Sequence, residues 1–304
     1  MIMTGDQKEK LKNLLEESEV LFDEPMKLHT TFRIGGNAEC FVRIQNIEEL
    51  SALVEFCRRE DLPFFFMGKG SNLLVSDNGI AGVVATFGDG MSDIIVKDDM
   101  IIAEGGASLS AVASHALQKG LTGFEFAAGI PGSVGGAVRM NAGAYGGEMS
   151  QVVGWVRVLT PDGNIKTILG AHLEFGYRTS ILKDVPYIVL SCGIQLMPGD
   201  EKQIRITMLE LGARRREKQP LEYPSAGSTF KRPEGYFAGK LIEEAGCRGL
   251  SVGGAKVSEK HCGFIINEND ATAKDVSQLI EEVRKRVYEN SGILLEPEII
   301  FMGE

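Results

Sequence analysis

A chain of 304 residues that is 43% hydrophobic and 24% charged has apolar material for a sizeable core and length for two or three domains. Its formal net charge of −10 excludes a general affinity for nucleic acids or anionic membrane surfaces, so an anionic ligand must meet positive charge gathered locally. Five cysteines (Cys40, Cys57, Cys192, Cys247 and Cys262) with no C-x-x-C spacing exclude a disulfide framework and a zinc site, and no apolar run approaches the roughly 18 residues of a membrane span.

The N-terminal stretch MIMTGDQKEKLKNLLEE is charged and helical in pattern, unlike a secretory signal, and scattered thiols suit a reducing compartment. A cytoplasmic protein is expected. Asn46 with Glu49 forms a capping-box start, Ile47, Leu50, Leu53 and Val54 share one helical face, and Pro63 stops that helix. Phe64–Met67 (FFFM) reads as a buried strand, GKGSN (68–72) as a turn, and Leu73–Val75 as the next extended piece. From about 80 to 105 the pattern turns to short strands, ending in a hairpin that reverses at Lys97–Asp99. Ser108 caps a helix with Leu109, Val112, Ala113, Ala116 and Leu117 inward, and Gly120 ends it.

Beyond residue 148, VVGWVRVLTPDGNIKTI is a hairpin with a Pro-Asp-Gly turn, and PYIVLSCGIQLM (186–197) is a strand. Residues 200–219 read as a helix ending in the basic cluster ARRREKQP. The last third holds helical YFAGKLIEEAG (236–246), the strand GFIIN (263–267) and a long helix starting at Thr272–Asp275. Val276, Leu279, Ile280, Val283 and Val287 line that helix, Gly292 terminates it, and ILLEPEIIF is the final strand. No internal repeat is present. The expected division is 1–78, 79–205 and 206–304.

Residues 129–148, GIPGSVGGAVRMNAGAYGGE, hold seven glycines and almost no charge. So much bare backbone serves close approach or positive φ. No segment supplies the P-loop G-x-x-x-x-G-K-[ST], and GKGSNL lacks the third glycine of the Rossmann fingerprint, as do Gly129, Gly132, Gly135 and Gly136 by their spacing. What remains is two separated Gly/Ser/Asn turns, 68–72 and 129–147. Their N–H groups can nest a pyrophosphate, with Ser71, Asn72, Ser133 and Asn141 adding side-chain donors. One such turn alone is more often a tight turn of a compact fold; two point to a dinucleotide cofactor.

The motifs GKGSNLLV, AAGIPGSVGGAVRMNAGAYGGE, FGYRTS, AGSTFKRP and LEPE, in this order, resemble the UDP-N-acetylenolpyruvoylglucosamine reductase (MurB) family of peptidoglycan synthesis. The likeness runs from TTFRIGG (30–36) to the C-terminal strand. It implies an α+β, vanillyl-alcohol-oxidase-type FAD-binding fold of two subdomains (1–78 and 79–205) plus a C-terminal α/β substrate-binding lobe (206–304) whose last strand returns to the active site. It implies non-covalent FAD held by Gly68, Lys69, Gly70, Ser71, Asn72, Leu73, Gly129, Gly132, Ser133, Gly136, Ala137, Asn141, Gly143 and Ala144. The short linker KQPLEYPSAGS matches the shorter type of the family, without the extra tyrosine-bearing segment that covers the substrate.

Arg178 in FGYRTS would by residue type alone be a surface ion-pair partner; the resemblance makes it the catalytic arginine that holds the substrate carboxylate. Ser228 in SAGSTF reads as a turn or cap residue, with His29, His115, His172 and His261 all remote in sequence. The resemblance makes it the proton donor to the carbanion formed after hydride transfer. A carboxylate in an apolar strand needs a partner, which singles out the LEPE acids before any likeness is used. The family motif favours Glu298 over Glu296. Among Arg214, Arg215, Arg216 and Lys218, Lys218 is the candidate for the substrate diphosphate, with Arg248 a second candidate, and His261 and Cys262 are read as structural.

The implied reaction uses NADPH to reduce FAD, after which the enolpyruvyl sugar nucleotide takes hydride and a proton to give UDP-N-acetylmuramate. A monomer is expected. Two other readings stand beside it: an FAD oxidase of the same fold acting on a hydroxy acid or sugar lactone, and a non-catalytic nucleotide-sugar binding module.

Overall fold

A computed structural model describes residues 3–303 of the chain; Met1, Ile2 and Glu304 lie outside them. The chain forms two compact units that interleave in sequence. The first takes residues up to Leu21, then Cys40–Lys69 and Gly82–Arg215; the second takes Phe22–Glu39, Gly70–Ala81 and everything from Arg216 onward.

The first unit is built around a five-stranded antiparallel sheet in the order Ile165–Leu169, Val153–Leu159, Ile188–Gln195, Met100–Glu104, Ile94–Lys97. The expected hairpins supply its outer pairs. Lys97 faces Met100, and Asp98 takes φ +52° at the turn. The central strand is buried from Ile188 to Ile194, which is why IVLSCGI shows no polar alternation. Helix Leu109–Gln118, capped by Ser108 Oγ accepting from Ala111 N at 3.2 Å, and the short helix Val134–Arg139 add Leu109, Val112, Ala113, Ala116, Val134 and Val138 to the core. There they join Ile101, Ala103, Val156, Val158, Cys192 and Ile194.

Helix Ile47–Arg59 starts at Asn46, whose side chain accepts from Glu49 N at 2.8 Å. The expected reciprocal bond of a capping box is not made, because the Glu49 carboxylate instead accepts from Glu17 N at 2.8 Å and from the Ser18 hydroxyl. The strand Phe64–Phe66 is present but not buried as expected. It pairs in parallel with Val83–Ala85 at the edge of a sheet ordered Glu19–Pro25, Asn37–Ile44, Ile80–Phe87, Phe64–Phe66, and Phe65 is exposed.

In the second unit the long helix Ala273–Ser291 buries the expected stripe Val276, Leu279, Ile280, Val283 and Val287 against Phe32, Ile34, Ile242, Val257 and Ile265. Thr272 and Asp275 form its capping box, and Gly292 ends it at φ +72°. Asp77 adds a second cap, its carboxylate accepting from Ala273 N at 2.7 Å and Lys274 N at 3.0 Å. A three-stranded antiparallel sheet runs Ser251–Val252, Ala255–Val257, Ile265–Asn267. The final strand is shorter than ILLEPEIIF: only Ile300–Met302 is regular, paired in parallel with Leu73–Val75. Pro297, which has no N–H to donate, sits in an isolated bridge with Phe230.

Candidate functional site

The glycine turns come together in the first unit. A Cβ on Gly68 would lie 2.6 Å from Ser133 Oγ and 3.9 Å from Gly136 Cα, so only glycine lets these two main chains approach. Gly68 O accepts from Thr86 Oγ1 at 3.3 Å, and Gly132 O from Leu109 N at 3.2 Å. Ser133 is buried, Gly132 and Gly136 are half-buried, and Ala137 puts its methyl into the core. The convergence of two bare, near-neutral turns fits the pyrophosphate of a dinucleotide. Lys69 closes this part of the unit and is exposed.

Gly70 belongs to the second unit, where φ is +62° and a Cβ would meet His29 O at 2.2 Å. Thr31 N donates to Gly70 O at 3.2 Å. Ser71, Asn72 and Leu73 follow, all half-buried, and Leu73 opens the pairing with Ile300.

Arg178 stands at the tip of a tight hairpin. Gly176 and Thr179 exchange main-chain hydrogen bonds at 3.0 and 3.3 Å, leaving Tyr177 and Arg178 at the turn, with Arg178 at φ +55°. That conformation costs a non-glycine residue about 1–2 kcal/mol and persists only where the surroundings hold it. The holders are identifiable. Asn141 donates to Gly176 O at 2.9 Å, Ser180 Oγ donates to Arg139 O at 2.8 Å, and the Arg139 guanidinium reaches the carbonyls of Leu182 and Lys183. The Arg178 guanidinium lies 5.2 Å from the Tyr177 ring centroid and donates to Gly143 O at 3.1 Å. Arg178, Asn141 and Gly143 are thus one structure, with Ala144 beside them in a two-residue pairing with Gly147.

The main-chain segments that carry Ser228 and Glu298 pair in the second unit. Glu298 N donates to Thr229 O at 2.8 Å and Lys231 N to Glu296 O at 2.9 Å, so residues 229–231 run antiparallel to 296–298 and Ser228 immediately precedes the partner of Glu298. On the other side, Asn72 Nδ2 donates to Glu298 O at 3.1 Å. Glu298 is half-buried, whereas Glu296 is exposed and pairs with Lys231 Nζ at 2.9 Å, which holds its carboxyl below the usual carboxylate range. Ser228 is exposed and its hydroxyl makes no hydrogen bond among the described residues.

His261, remote in sequence, is close in space. Gly263 O accepts from Thr229 N at 2.8 Å, and Gly263 N donates to His261 Nδ1 at 3.1 Å. Burial and then the positive field of Lys218 hold this imidazole below its ordinary pKa. Lys218 is exposed beside it, at the end of the helix Glu201–Lys218. Arg248 is engaged elsewhere, paired with Glu243 at 2.6 Å and bonded to Glu259 O.

The residue that sequence reasoning passed over is Arg215. It abuts Gly129, whose Cβ would lie 3.3 Å from Arg215 Cδ; burial lowers its pKa and the neighbouring Tyr145 raises it. The signal was available, since Ile204, Met208, Leu211 and Arg215 follow helical spacing and are the less exposed positions, while Arg214 and Arg216 are exposed.

The chain is similar to known proteins over nearly its whole length. The family described as UDP-N-acetylenolpyruvoylglucosamine reductase, C-terminal domain, matches residues 219–302, and an FAD binding domain family matches residues 38–169, which contain both glycine turns. A UDP-N-acetylenolpyruvoylglucosamine reductase from Caldanaerobacter subterraneus subsp. tengcongensis is 53% identical over 97% of this chain and 98% of its own. One of the same name from Lachnoclostridium phytofermentans is 52% identical over 97% of each. The crystal structure of UDP-N-acetylenolpyruvylglucosamine reductase from Thermus caldophilus is 35% identical, with a TM-score of 0.80 over 94% of this chain and 99% of that one. The α+β FAD-binding fold expected from the motifs is therefore the fold of this chain, which belongs to the UDP-N-acetylenolpyruvoylglucosamine reductase family.

Proposed function

We propose that Arg178, Ser228 and Glu298 carry the substrate chemistry of a flavin-dependent reductase of peptidoglycan precursor synthesis. The chain is an FAD-containing, NADPH-dependent oxidoreductase that reduces UDP-N-acetylglucosamine enolpyruvate to UDP-N-acetylmuramate. The observation that supports the choice of residues is the antiparallel pairing of 229–231 with 296–298, which sets Ser228 next to the partner of Glu298.

FAD, when bound, relays reducing equivalents from NADPH to the vinyl group of the substrate. The protein's share is positioning and electrostatics. Gly68, Gly132, Ser133 and Gly136 offer close main chain to the pyrophosphate, with Gly70 and Ser71 continuing the first turn. Arg178, held rigidly at its hairpin tip, binds the substrate carboxylate and stabilises the negative charge that develops on it during reduction. The role proposed for Glu298 is to share that stabilisation with Arg178 as a general acid, its carboxyl proton moving toward the charge as it develops, which a far less acidic amide N–H cannot do. Ser228 Oγ–H delivers the proton to the carbon that bears the carboxylate. A neutral hydroxyl suffices because the carbanion is a strong base. Lys218 serves the substrate diphosphate; Arg248 would have to leave Glu243 to do so. We further assign the enzyme to the cytoplasm, as a monomer that binds neither nucleic acid nor membrane, a reading that the net charge of −10 supports.

Replacing Ser228 by Ala tests the division of labour. NADPH should still bleach the flavin at near-normal rate, while reoxidation by the enolpyruvyl substrate slows by roughly 10²–10⁴-fold. Equal losses in both half-reactions would mean that Ser228 shapes the flavin site instead.

A further inference from the structure

Each glycine turn carries one asparagine that the sequence assigns to the cofactor, and in the structure each amide is committed to main chain beside a reacting side chain. Asn141 is 1% exposed; its Nδ2 donates to Gly176 O at 2.9 Å and its Oδ1 accepts from Ser150 N at 2.9 Å. Both ends of the amide are therefore occupied, and no surface is left for a ligand. Asn72 Nδ2 donates to Glu298 O at 3.1 Å, while the main-chain carbonyl of Asn72 accepts from Ile300 N at 2.9 Å. The two bonds bracket Ile299, so the main chain is held immediately after Glu298.

We propose that Asn141 and Asn72 are positioning residues, the first fixing the hairpin of Arg178 and the second the main chain of Glu298. The inference rests on the roles assigned above to those two side chains. The chemistry at each position asks for asparagine. Asn141 must donate and accept at once from a backbone at φ +43°, a conformation asparagine adopts more readily than most residues. An aspartate there would lose the donor and bury a charge; an alanine would leave Gly176 O and Ser150 N short of a partner. At Asn72, the side-chain amide carries the parallel pairing of Leu73–Val75 with Ile300–Met302 one step further, to the carbonyl of Glu298. With Thr229 O accepting from Glu298 N, both main-chain polar groups of the acid are bonded, and its carboxyl can be aimed from a fixed base. A displacement of about 1 Å at such a group can cost on the order of 10²-fold in rate.

The test measures three quantities on Asn72→Ala and Asn141→Ser in the full chain loaded with FAD: FAD retention, flavin bleaching by NADPH, and flavin reoxidation by the enolpyruvyl substrate. Retention and bleaching should stay within about threefold of wild type while reoxidation slows about 10–10²-fold. Combining Asn72→Ala with Glu298→Gln, or Asn141→Ser with Arg178→Lys, should add less than about threefold, since each pair acts through one group. Loss of FAD, bleaching that falls as far as reoxidation, or effects that multiply in the double variants would overturn the proposal. Asn141 is buried, so if its serine variant does not fold, Asn72→Ala and Asn72→Ser decide alone. If Glu298→Gln leaves reoxidation unchanged, the role assigned to Glu298 fails and this inference fails with it. A slow Glu298→Gln beside a normal Asn72→Ala sinks only the inference.

Discussion

Exchanging Glu298 for Gln preserves the shape of the side chain and its ability to donate a hydrogen bond, but removes the acid that the proposed role requires. The acid is half-buried, with its main-chain N–H bonded to Thr229 O and its C=O to the Asn72 side chain. Removing one electrostatic group from a preorganised site of this kind costs roughly 10²–10³ in turnover, about 2.7–4 kcal/mol. Glu296, two residues away, is the internal control. Its side chain is 69% exposed and its partner Lys231 is 39% exposed, so solvent screens the pair. Glu296→Gln should therefore remain within about tenfold of wild type. Anaerobic stopped-flow absorbance separates the steps: both variants should bind FAD and be bleached by NADPH normally, and only Glu298→Gln should be slow to reoxidise with the enolpyruvyl substrate. If the two variants exchange behaviours, the catalytic acid is misassigned although the family is unaffected.

Gly70→Ala should release FAD and lower stability by at least about 1–2 kcal/mol from the left-handed φ alone, because its Cβ also meets His29 O; a normal urea midpoint with full flavin content would contradict this. Asp77→Ala removes two acceptors from the start of the helix Ala273–Ser291 and should cost about 1 kcal/mol in urea denaturation, with a change under about 0.3 kcal/mol counting against the cap. His261 predicts a pH dependence. Its pKa is lowered in the folded chain from an ordinary value of 6.5, so the unfolded chain takes up the proton first; stability is complete above about pH 6.5 and declines as pH falls toward the folded pKa. His261→Gln should flatten that decline, and an unchanged slope would show that other groups cause it.

Much of the fold was legible because it is local. The stripe Val276, Leu279, Ile280, Val283 and Val287, the Ser108 cap and the Pro-Asp-Gly hairpin depend on residues within a turn or two of each other, and all form as read. What escaped is set by distant partners. Glu49 looked like half of a capping box until Glu17 and Ser18 claimed its carboxylate. Phe64–Phe66 is an apolar run at a sheet edge, and composition alone does not say which strands are covered. Residues 22–39 and 70–81 join the C-terminal part of the chain, an interleaving that a linear reading of composition does not reveal. Of the proposed site, Arg178, Ser228 and Glu298 were named from the resemblance of their motifs to the family. The hydrogen bonds of the Asn72 and Asn141 amides to main-chain carbonyls were not legible, because the partners, Glu298 and Gly176, are distant in sequence. His261 was dismissed by sequence distance, although Gly263 brings it to the Ser228 loop.

The central claim is that one flavin carries electrons from NADPH to an enolpyruvyl sugar nucleotide on this chain. The most direct measurement is an anaerobic two-step titration of the purified protein. One equivalent of NADPH should bleach the flavin, and UDP-N-acetylglucosamine enolpyruvate added next should restore the oxidised spectrum with stoichiometric UDP-N-acetylmuramate. A flavin that NADPH does not reduce, or one that stays bleached with the enolpyruvyl substrate and is reoxidised only when oxygen is admitted, would contradict the account and favour an oxidase.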